Sequence, residues 1–386
     1  MAPVSASPAF YEKANSFLEI RQDARDYENV YERVRRLRDA LDEKSYADYQ
    51  ARIIRQACDN VIDGFSPVEP RFQLQEHVVE EIDRLSDEHL PRYLFYRYRY
   101  DIFPQTKELD RFPPCLQIEP ASICNYRCVF CYQTDRDLTN PKNGYMGLMS
   151  LKLFNKVIDL AEGKCEAISL ASRGEPLINR DIEEMLAYAA GKFLALKINT
   201  NAWFLDERKC HAILQADVNT VVFSADAAAE PLYSQLRVNG RMDRVLANVR
   251  LFQDIRARHY SDSKTITRVS GVRTGDDQSL DEMERFWGDL VDQVAFVKYN
   301  PWENTYQRSL NDIAAPCSDL WRRMFVWWDG TVNPCDVDYL STLAVGDANS
   351  EHLSEIWNGD KYNALRKAHL ARRRNSITPC MRCTLV

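Results

Sequence analysis

The sequence lacks any long apolar run, and no stretch approaches the roughly 20 apolar residues that a membrane-spanning helix requires. The N-terminus, Met1 to Ser5, has no basic segment followed by an apolar run, so we expect no signal peptide and a cytoplasmic protein. The sequence also has no internal repeat and no low-complexity tract. Its formal net charge of −7 argues against nucleic acid or an anionic membrane as a partner.

Cysteine, by contrast, is plentiful. The chain of 386 residues contains 11 cysteines. Two sets stand out by spacing: Cys124, Cys128 and Cys131, and Cys317, Cys335, Cys380 and Cys383. Clustered cysteines in a cytosolic protein indicate metal ligands rather than disulfides. The scattered cysteines (Cys58, Cys115, Cys165 and Cys210) are interpreted as small buried hydrophobic residues.

Residues 1–112 have the pattern of a helical N-terminal extension. Apolar residues recur at helical spacing over Glu12 to Glu43, Tyr46 to Ile62 and His77 to Leu90. The stretch Arg92 to Tyr100 interleaves aromatic and basic residues. It predicts an aromatic helix packed on the next domain, with its arginine heads reaching water. The alternative is a site for a phosphate or a stacked ring.

Residues 113–305 alternate strand-like and helix-like segments, which predicts an α/β fold with a parallel sheet. The strand candidates are Cys115–Pro120, Ala167–Ala171, Ala195–Asn199, Thr220–Ser224, Thr265–Val272 and Val294–Tyr299. The alternation stops in residues 306–386, which predict a small C-terminal domain. There, Asp329-Gly330 between two strand-like runs indicates a hairpin.

The first cysteine set follows the first strand candidate with C-x3-C-x2-C spacing. Thiolates are the usual ligands of iron–sulfur clusters, and three of them leave one iron of a four-iron cluster open. Zinc is the alternative, but three cysteines in one loop without a nearby histidine make a poor tetrahedral set.

This spacing resembles that of the radical S-adenosylmethionine (SAM) superfamily. Further motifs support the resemblance: Tyr132 after the third cysteine, Ser172-Arg173-Gly174-Glu175-Pro176, Asn199-Thr200-Asn201, and Ser224-Ala225-Asp226 followed by Arg237. The second motif looks like the family's Gly-Gly-Glu-Pro, with Arg173 where the first glycine is usual. All of them follow strand candidates, where parallel α/β folds place their ligands.

The resemblance implies a partial (β/α)6 TIM-like barrel and a 4Fe-4S cluster on Cys124, Cys128 and Cys131 that binds SAM. It places Tyr132 near the adenine and the edge at Gly174 and Glu175 near the amino group. By the same resemblance Asn199 lies near the ribose, and Ser224 and Arg237 contact the SAM carboxylate.

The tail resembles the SPASM extension in its short "twitch" form. Cys317-x12-Gly330-x4-Cys335 is followed, after a long gap, by Cys380-x2-Cys383. The resemblance implies one auxiliary 4Fe-4S cluster, whose irons are all occupied by cysteine. A structural zinc ion is the alternative.

The implied chemistry is reductive cleavage of SAM to a 5′-deoxyadenosyl radical, which abstracts a substrate hydrogen. An auxiliary cluster can then take an electron, so we expect oxidation of a carbon-bound hydroxyl on a sugar, aminocyclitol or related polar metabolite. Similar tails occur in dehydrogenases of aminoglycoside biosynthesis. Flavodoxin or ferredoxin would donate electrons. Lys298, Arg268 and Glu303, with Asn300, are the candidates to act on the substrate.

Three other functions stay open. One is a peptide-modifying maturase, although the helical N-terminal third lacks the strand hairpin of a leader-binding domain. Another is a radical epimerase, for which Cys165 or Cys210 would be the available hydrogen donors. The third is a non-catalytic iron–sulfur or zinc scaffold, which would not need the SAM-like motifs.

Overall fold

The fold is that of a computed structural model, which describes residues 17–22, 26–64, 66 and 68–386. The N-terminal part of this range contains one strand and a group of helices: β1 (Phe17–Gln22), α1 (Tyr27–Ala40), α2 (Asp48–Asp63), α3 (Glu76–Asp83) and α4 (Leu90–Thr106). Within the described residues, no helix is both long enough and apolar enough to cross a membrane.

The middle of the chain alternates strands and helices. Its elements are β2 (Cys115–Ile118), β3 (Arg127–Cys128), α5 (Arg136–Thr139), α6 (Leu151–Ala161), β4 (Ala167–Leu170), α7 (Ile182–Ala189), β5 (Ala195–Thr200), α8 (Glu207–Gln215), β6 (Thr220–Ser224), α9 (Leu232–Leu236), β7 (Arg237–Val238), α10 (Met242–His259), β8 (Ile266–Arg273), α11 (Leu280–Trp287) and β9 (Gln293–Lys298). The C-terminal elements are β10 (Arg323–Val326), β11 (Thr331–Asn333), β12 (Gly346–Asp347), α12 (Leu353–Asn358) and α13 (Asp360–Leu370).

One large sheet organises the molecule, in the order β1-β9-β8-β6-β5-β4-β2-β10-β11-β12. Strands β2, β4, β5, β6, β8 and β9 are parallel neighbours along it. They coincide with the six strand candidates to within a residue or two at each end, so the prediction of a parallel α/β sheet is confirmed. The hairpin at Asp329-Gly330 is confirmed as well, because β10 and β11 pair antiparallel around it.

Helix α6 shows how local sequence produces these layers. Ser150 caps its N-terminus by accepting a hydrogen bond from the Leu153 backbone N–H. The buried side chains on it recur every three or four residues, so one face of the helix packs on the sheet. Those side chains are Leu153, Phe154, Val157, Ile158 and Ala161.

The N-terminal helices have an apolar core of their own, which includes Val30, Ile54, Ile82 and Leu94. Cys115 and Ala167, at the first positions of β2 and β4, belong to the same core. The helical extension therefore covers the N-terminal ends of the barrel strands, opposite the end where parallel sheets carry their ligands.

The predicted helix over Glu12 to Glu43 needs correction. Its first residues lie outside the described part of the chain, and Phe17–Gln22 is a strand rather than a helix. This strand pairs antiparallel with β9, with Ile20 opposite Ala295. The free edge of β9 supplies hydrogen-bonding partners that outweigh the weak local preference of this segment.

The arginines of α4 also depart from expectation. The helix packs as predicted, with Tyr93 and Tyr96 buried, but Arg97 and Arg99 are buried too. Arg99 Nη1 lies 2.6 Å from Asp110 Oδ2. The prediction that these heads reach water was wrong, because the fold provides carboxylates that pair with them.

Candidate functional site

A cavity of about 360 Å³ lies at the C-terminal ends of the parallel strands. The loops after β2, β4 and β5 contribute to its wall, as do the inner faces of β6 and β8. Ten of the residues predicted from the sequence line it: Cys124, Cys128, Cys131, Tyr132, Gly174, Glu175, Asn199, Ser224, Arg237 and Arg268. The fold therefore brings together residues that are more than a hundred positions apart in the chain.

The first cysteine set occupies one wall of this cavity. The short strand β3 pairs with β7, which sets Cys128 opposite Arg237. Arg237 Nη1 lies 3.8 Å from Cys128 Sγ, and Asn201 Nδ2 lies 3.8 Å from Cys124 Sγ. Both are N–H donors aimed at sulfur, and such donors favour the thiolate over the thiol.

Burial favours the thiol over the thiolate for the same sulfurs. It raises the pKa of Cys124 to about 12, with a further contribution from Glu175. Burial also raises the pKa of Cys128, against the effect of the adjacent Arg237 cation. Uncompensated thiolates would therefore be unfavourable here, whereas a bound metal centre would neutralise them.

The donor sets fit an iron–sulfur cluster. All the cysteines are free thiols. Within the part of the chain that is described, no group of three or more His, Cys, Asp and Glu side chains is arranged to hold a single metal ion. A four-iron cluster takes one thiolate per iron and so needs wider spacing than tetrahedral zinc does. Three cysteines at C-x3-C-x2-C spacing in one loop, without a nearby histidine, fit such a cluster better than they fit a tetrahedral zinc site.

Gly174 permits a close approach of two loops. A Cβ at this position would lie 2.4 Å from the Ala121 carbonyl oxygen and 2.5 Å from that of Ile123. Any side chain here would push the loop after β4 away from the segment that leads into the cysteines. The glycine of this motif is thus required by backbone packing.

Glu175 organises the neighbouring loop. Its carboxylate accepts hydrogen bonds from Thr200 Oγ1 at 2.6 Å, from Asn201 N at 2.7 Å and from Leu177 N at 3.1 Å. Burial nevertheless raises its pKa to about 7. With three donors already engaged, this carboxylate fixes the loop after β5 against the loop after β4.

Arg173, which stands where the family has glycine, links the barrel to the C-terminal segment. Its guanidinium makes a two-pronged buried ion pair with Glu119, with N–O distances of 2.7 and 2.6 Å. Nη1 also donates to the Tyr339 carbonyl oxygen at 2.9 Å. The guanidinium carbon lies 4.4 Å from the centre of the Trp327 ring.

Polar groups suited to a nucleoside line the other walls. Asn199 lines the cavity, and no described residue donates a hydrogen bond to its buried Oδ1. Ser224 ends β6 at the same cavity. Arg237 Nε lies 2.6 Å from Asp226 Oδ2, although the two groups are not aligned as a hydrogen bond. This ion pair holds the guanidinium beside the cysteines.

Tyr132 is buried against the C-terminal segment. Its hydroxyl donates to the Ser172 carbonyl oxygen at 2.7 Å. Its ring is stacked with Trp302, with centroids 6.1 Å apart, and contacts Tyr339 at 5.3 Å. The aromatic residue after the third cysteine therefore also joins the two parts of the chain.

The residues predicted to act on the substrate are dispersed. Arg268 lines the cavity. Lys298 is exposed at the end of β9. Glu303 accepts a hydrogen bond from the Tyr299 hydroxyl, and Asn300 Oδ1 accepts one from Thr384 Oγ1 at 3.2 Å. Among these candidates, Arg268 alone lines the cavity that contains the cysteines.

The second cysteine set converges in the C-terminal segment. Burial, then Cys383 and Cys317, raise the pKa of Cys380. Burial, then Asp338, Cys380 and Cys383, raise the pKa of Cys335, which packs against the small apolar cluster that contains Cys383. The buried Arg374 fixes this segment by donating to the carbonyl oxygens of Cys383 and Leu385 at 2.9 and 2.8 Å.

Sequence reasoning missed several residues of the cavity wall, notably Lys197, Trp302, Arg323 and Asp336. Lys197 was detectable, because it lies two residues before Asn199 on the same face of β5. Asp336, which also lines the cavity, directly follows Cys335 in the sequence. The position of Arg323 was not detectable, since it depends on β10 pairing beside β2.

Comparison with known proteins identifies the class. The family model of the radical SAM superfamily matches residues 118–286, and that of SPASM, an iron–sulfur cluster-binding domain, matches residues 317–384. The chain is a member of the radical SAM superfamily with a C-terminal SPASM-type domain. Its cofactors are SAM, a SAM-binding 4Fe-4S cluster and an auxiliary iron–sulfur centre.

Among curated proteins, the Fe-coproporphyrin III synthase of Methanosarcina barkeri (strain Fusaro / DSM 804) is 25% identical over 131 residues. The match covers 34% of this chain and 32% of that protein, or about a third of the relative's length.

Solved structures share the fold at low identity. BtrN in complex with AdoMet and 2-DOIA has a TM-score of 0.50 at 17% identity, over 72% of this chain and 95% of its own. SuiB of Streptococcus suis bound to its precursor peptide SuiA has a TM-score of 0.53 at 15% identity, over 88% of this chain and 82% of its own. The expected partial TIM-like barrel with a C-terminal cluster domain is thereby confirmed.

Proposed function

We propose that this protein is a radical SAM oxidoreductase that converts a carbon-bound hydroxyl of a small polar metabolite into a carbonyl. Cys124, Cys128 and Cys131 would hold the SAM-binding cluster, and Cys317, Cys335, Cys380 and Cys383 the auxiliary one. When bound, these cofactors supply the abstraction of one hydrogen atom from the substrate carbon and the acceptor for one electron. The hydroxyl proton leaves with that electron, so the substrate loses two hydrogens in total.

One observation carries this proposal: a single cavity has the first cysteine set in one wall and Asp336, the neighbour of Cys335, in another. A substrate between them would lie beside the first cysteine set and beside the residue that follows Cys335. Oxidation requires such a second site, whereas a redox-neutral epimerisation does not. The four C-terminal cysteines satisfy a four-iron centre completely, which leaves electron transfer as its role.

The chain's residues have three tasks in this reaction. Asn199, Ser224 and Arg237 would orient SAM, since they line the cavity beside the cysteine loop. Glu175 holds together the loops after β4 and β5, which form one edge of this cavity. Tyr132 and Trp302 close the side towards the C-terminal segment, which keeps water from the reacting atoms.

The test is anaerobic reconstitution with iron and sulfide, followed by incubation with SAM, dithionite and a panel of hydroxyl-bearing metabolites. We expect 5′-deoxyadenosine together with a product lighter by two hydrogens. A substrate deuterated at the reacting carbon should transfer deuterium to 5′-deoxyadenosine. A product of unchanged mass would indicate epimerisation, and turnover of peptides alone would indicate a maturase; either result would contradict the proposal.

A further inference from the structure

A second cavity, of about 330 Å³, lies at the base of the barrel beneath the first. Its wall combines the N-terminal ends of the strands with helices α3 and α4. Phe17, Lys197, Arg268 and Arg323 line both cavities, so the two adjoin across these four side chains. A molecule in the lower cavity would therefore point towards the cysteine loop.

Three of those shared side chains are cations with little compensation. Lys197 makes no hydrogen bond or ion pair with any described residue. Arg268 donates to the Gln293 amide and lies 4.8 Å from the centre of the Phe17 ring, but no carboxylate of the described chain is within 4.0 Å of it. Arg323 Nη2 donates to the Tyr100 hydroxyl, and its Nε is 4.0 Å from an Asp319 oxygen that Arg322 approaches more closely, at 3.3 Å.

The acids in the lower cavity offset these cations only from a distance. Glu76 and Glu81 are contributed by the α3 side. Glu81 accepts a hydrogen bond from the Tyr93 hydroxyl at 2.6 Å, and its charge favours the charged forms of Lys197 and Arg268 without forming an ion pair with either. Burial, then Arg268 and Arg323, lower the pKa of Lys197 to about 8. Like charges held together in an enclosed space are unfavourable unless a ligand supplies the opposite charge.

We propose that Lys197, Arg268 and Arg323 bind a carboxylate or phosphate group of the substrate, which is therefore an anionic small molecule. This inference rests on the proposed function, because it assigns the wall of the upper cavity beside the cysteine loop to SAM. Lys197 lies two residues before Asn199 on β5, and Arg268 lies two residues before Ser270 on β8. Asn199 and Ser270 line the upper cavity, so each cation lies about 7 Å deeper along its strand. The anionic group would anchor the deep end of the substrate and present its other end to the cysteine loop.

The test measures anion binding without turnover. Malonate and inorganic phosphate are titrated by calorimetry into the full chain, reconstituted with both clusters and saturated with SAM. We expect one-to-one binding of at least one probe, and at least about tenfold weaker binding by the Lys197→Gln/Arg268→Gln variant, since charge-assisted hydrogen bonds are lost. The matched control, Lys152→Gln/Arg250→Gln, changes two exposed cations and should bind as the wild type does.

The two probes distinguish the source of the anion: tighter malonate binding indicates a carboxylate, and tighter phosphate binding a phosphate ester. The proposal would be overturned if neither probe binds. It would also be overturned if the Lys197→Gln/Arg268→Gln variant and the Lys152→Gln/Arg250→Gln control weaken anion binding equally. Lys197→Gln should unfold at the same temperature as the wild type or higher, which separates loss of the site from misfolding. Formation of 5′-deoxyadenosine is measured in the same samples, so failure of the anion site and failure of the proposed function give different results.

Discussion

The guanidinium of Arg173 joins two parts of the molecule that each carry a cysteine set. Its partners Glu119 and Tyr339 lie 54 and 166 residues away in the chain. A sequence motif cannot reveal such contacts, so Arg173 seemed only a departure from the family pattern. In the structure the Arg173 side chain connects the loop after β4 to the C-terminal segment.

Replacing Arg173 leaves the Glu119 carboxylate buried without its partner. We expect Arg173→Met to lower the free energy of unfolding by about 3 kcal/mol or more, measured by urea denaturation of the cluster-free protein. Arg173→Lys should recover only part of this loss, because an ammonium cannot make the two-pronged contact. The exposed Arg250 is the control, and a loss for Arg173→Met no greater than that for Arg250→Met would contradict the account.

Lys197 makes anion binding dependent on pH. Because its pKa is lowered to about 8, the ammonium form is present below that pH and is lost above it. Sulfate stays fully ionised, so its affinity should fall as the pH rises from 7 to 9. The Lys197→Gln variant should bind more weakly and show no such fall.

The other groups that face Lys197 are Arg268 from β8, Arg323 from β10, Cys115 from β2, and His77 and Glu81 from α3. The arginines remain charged throughout this range. Burial raises the pKa of Cys115 and lowers that of His77, which moves both away from neutrality. A wild-type affinity that is constant between pH 7 and 9 would therefore contradict the role of Lys197.

At the scale of elements, β1 closes an edge that the barrel strands leave open. It pairs with β9, and the Glu19 carboxylate lies 2.7 Å from Arg273 on β8. Phe17 reaches the lumen and lies over the Arg268 guanidinium. The residues of Phe17 to Gln22 favour neither helix nor strand strongly, so the sequence pattern predicted a helix. The strand β9, which makes this segment a strand, is nearly 300 residues away in the chain.

Deletion of residues 1–22 should expose the outer edge of β9. We expect those backbone amides of Gln293–Val297 that face β1 to exchange with deuterium faster in the truncated protein, because their partners in β1 are gone, whereas the amides that face β8 keep theirs. The central strand β5 is the internal control, and its amides should exchange as before. Unchanged protection of the Gln293–Val297 amides that face β1 would show that β1 does not form this edge.

At the scale of the whole molecule, the parallel strands of the barrel could be predicted from the sequence. The way in which the C-terminal segment packs against them could not. The six parallel strands were recognisable because each is a short apolar run between helical segments, and the motifs at their ends depend on local residue type. The pairing of β10 beside β2, which brings Arg323 into the lumen, depends on contacts about two hundred residues apart. The same holds for Asp336, whose place in the cavity wall follows from how the C-terminal segment docks.

The central claim is that one chain holds two separate clusters with different tasks, and reduced protein studied by electron paramagnetic resonance with and without SAM tests it most directly. The wild type should contain about eight iron atoms per chain and show one signal that changes when SAM is added. A Cys124→Ala/Cys128→Ala variant should lose that responsive signal and keep the other. A Cys380→Ala/Cys383→Ala variant should do the reverse. Survival of the SAM-responsive signal in the first variant, or its loss in the second, would contradict the account.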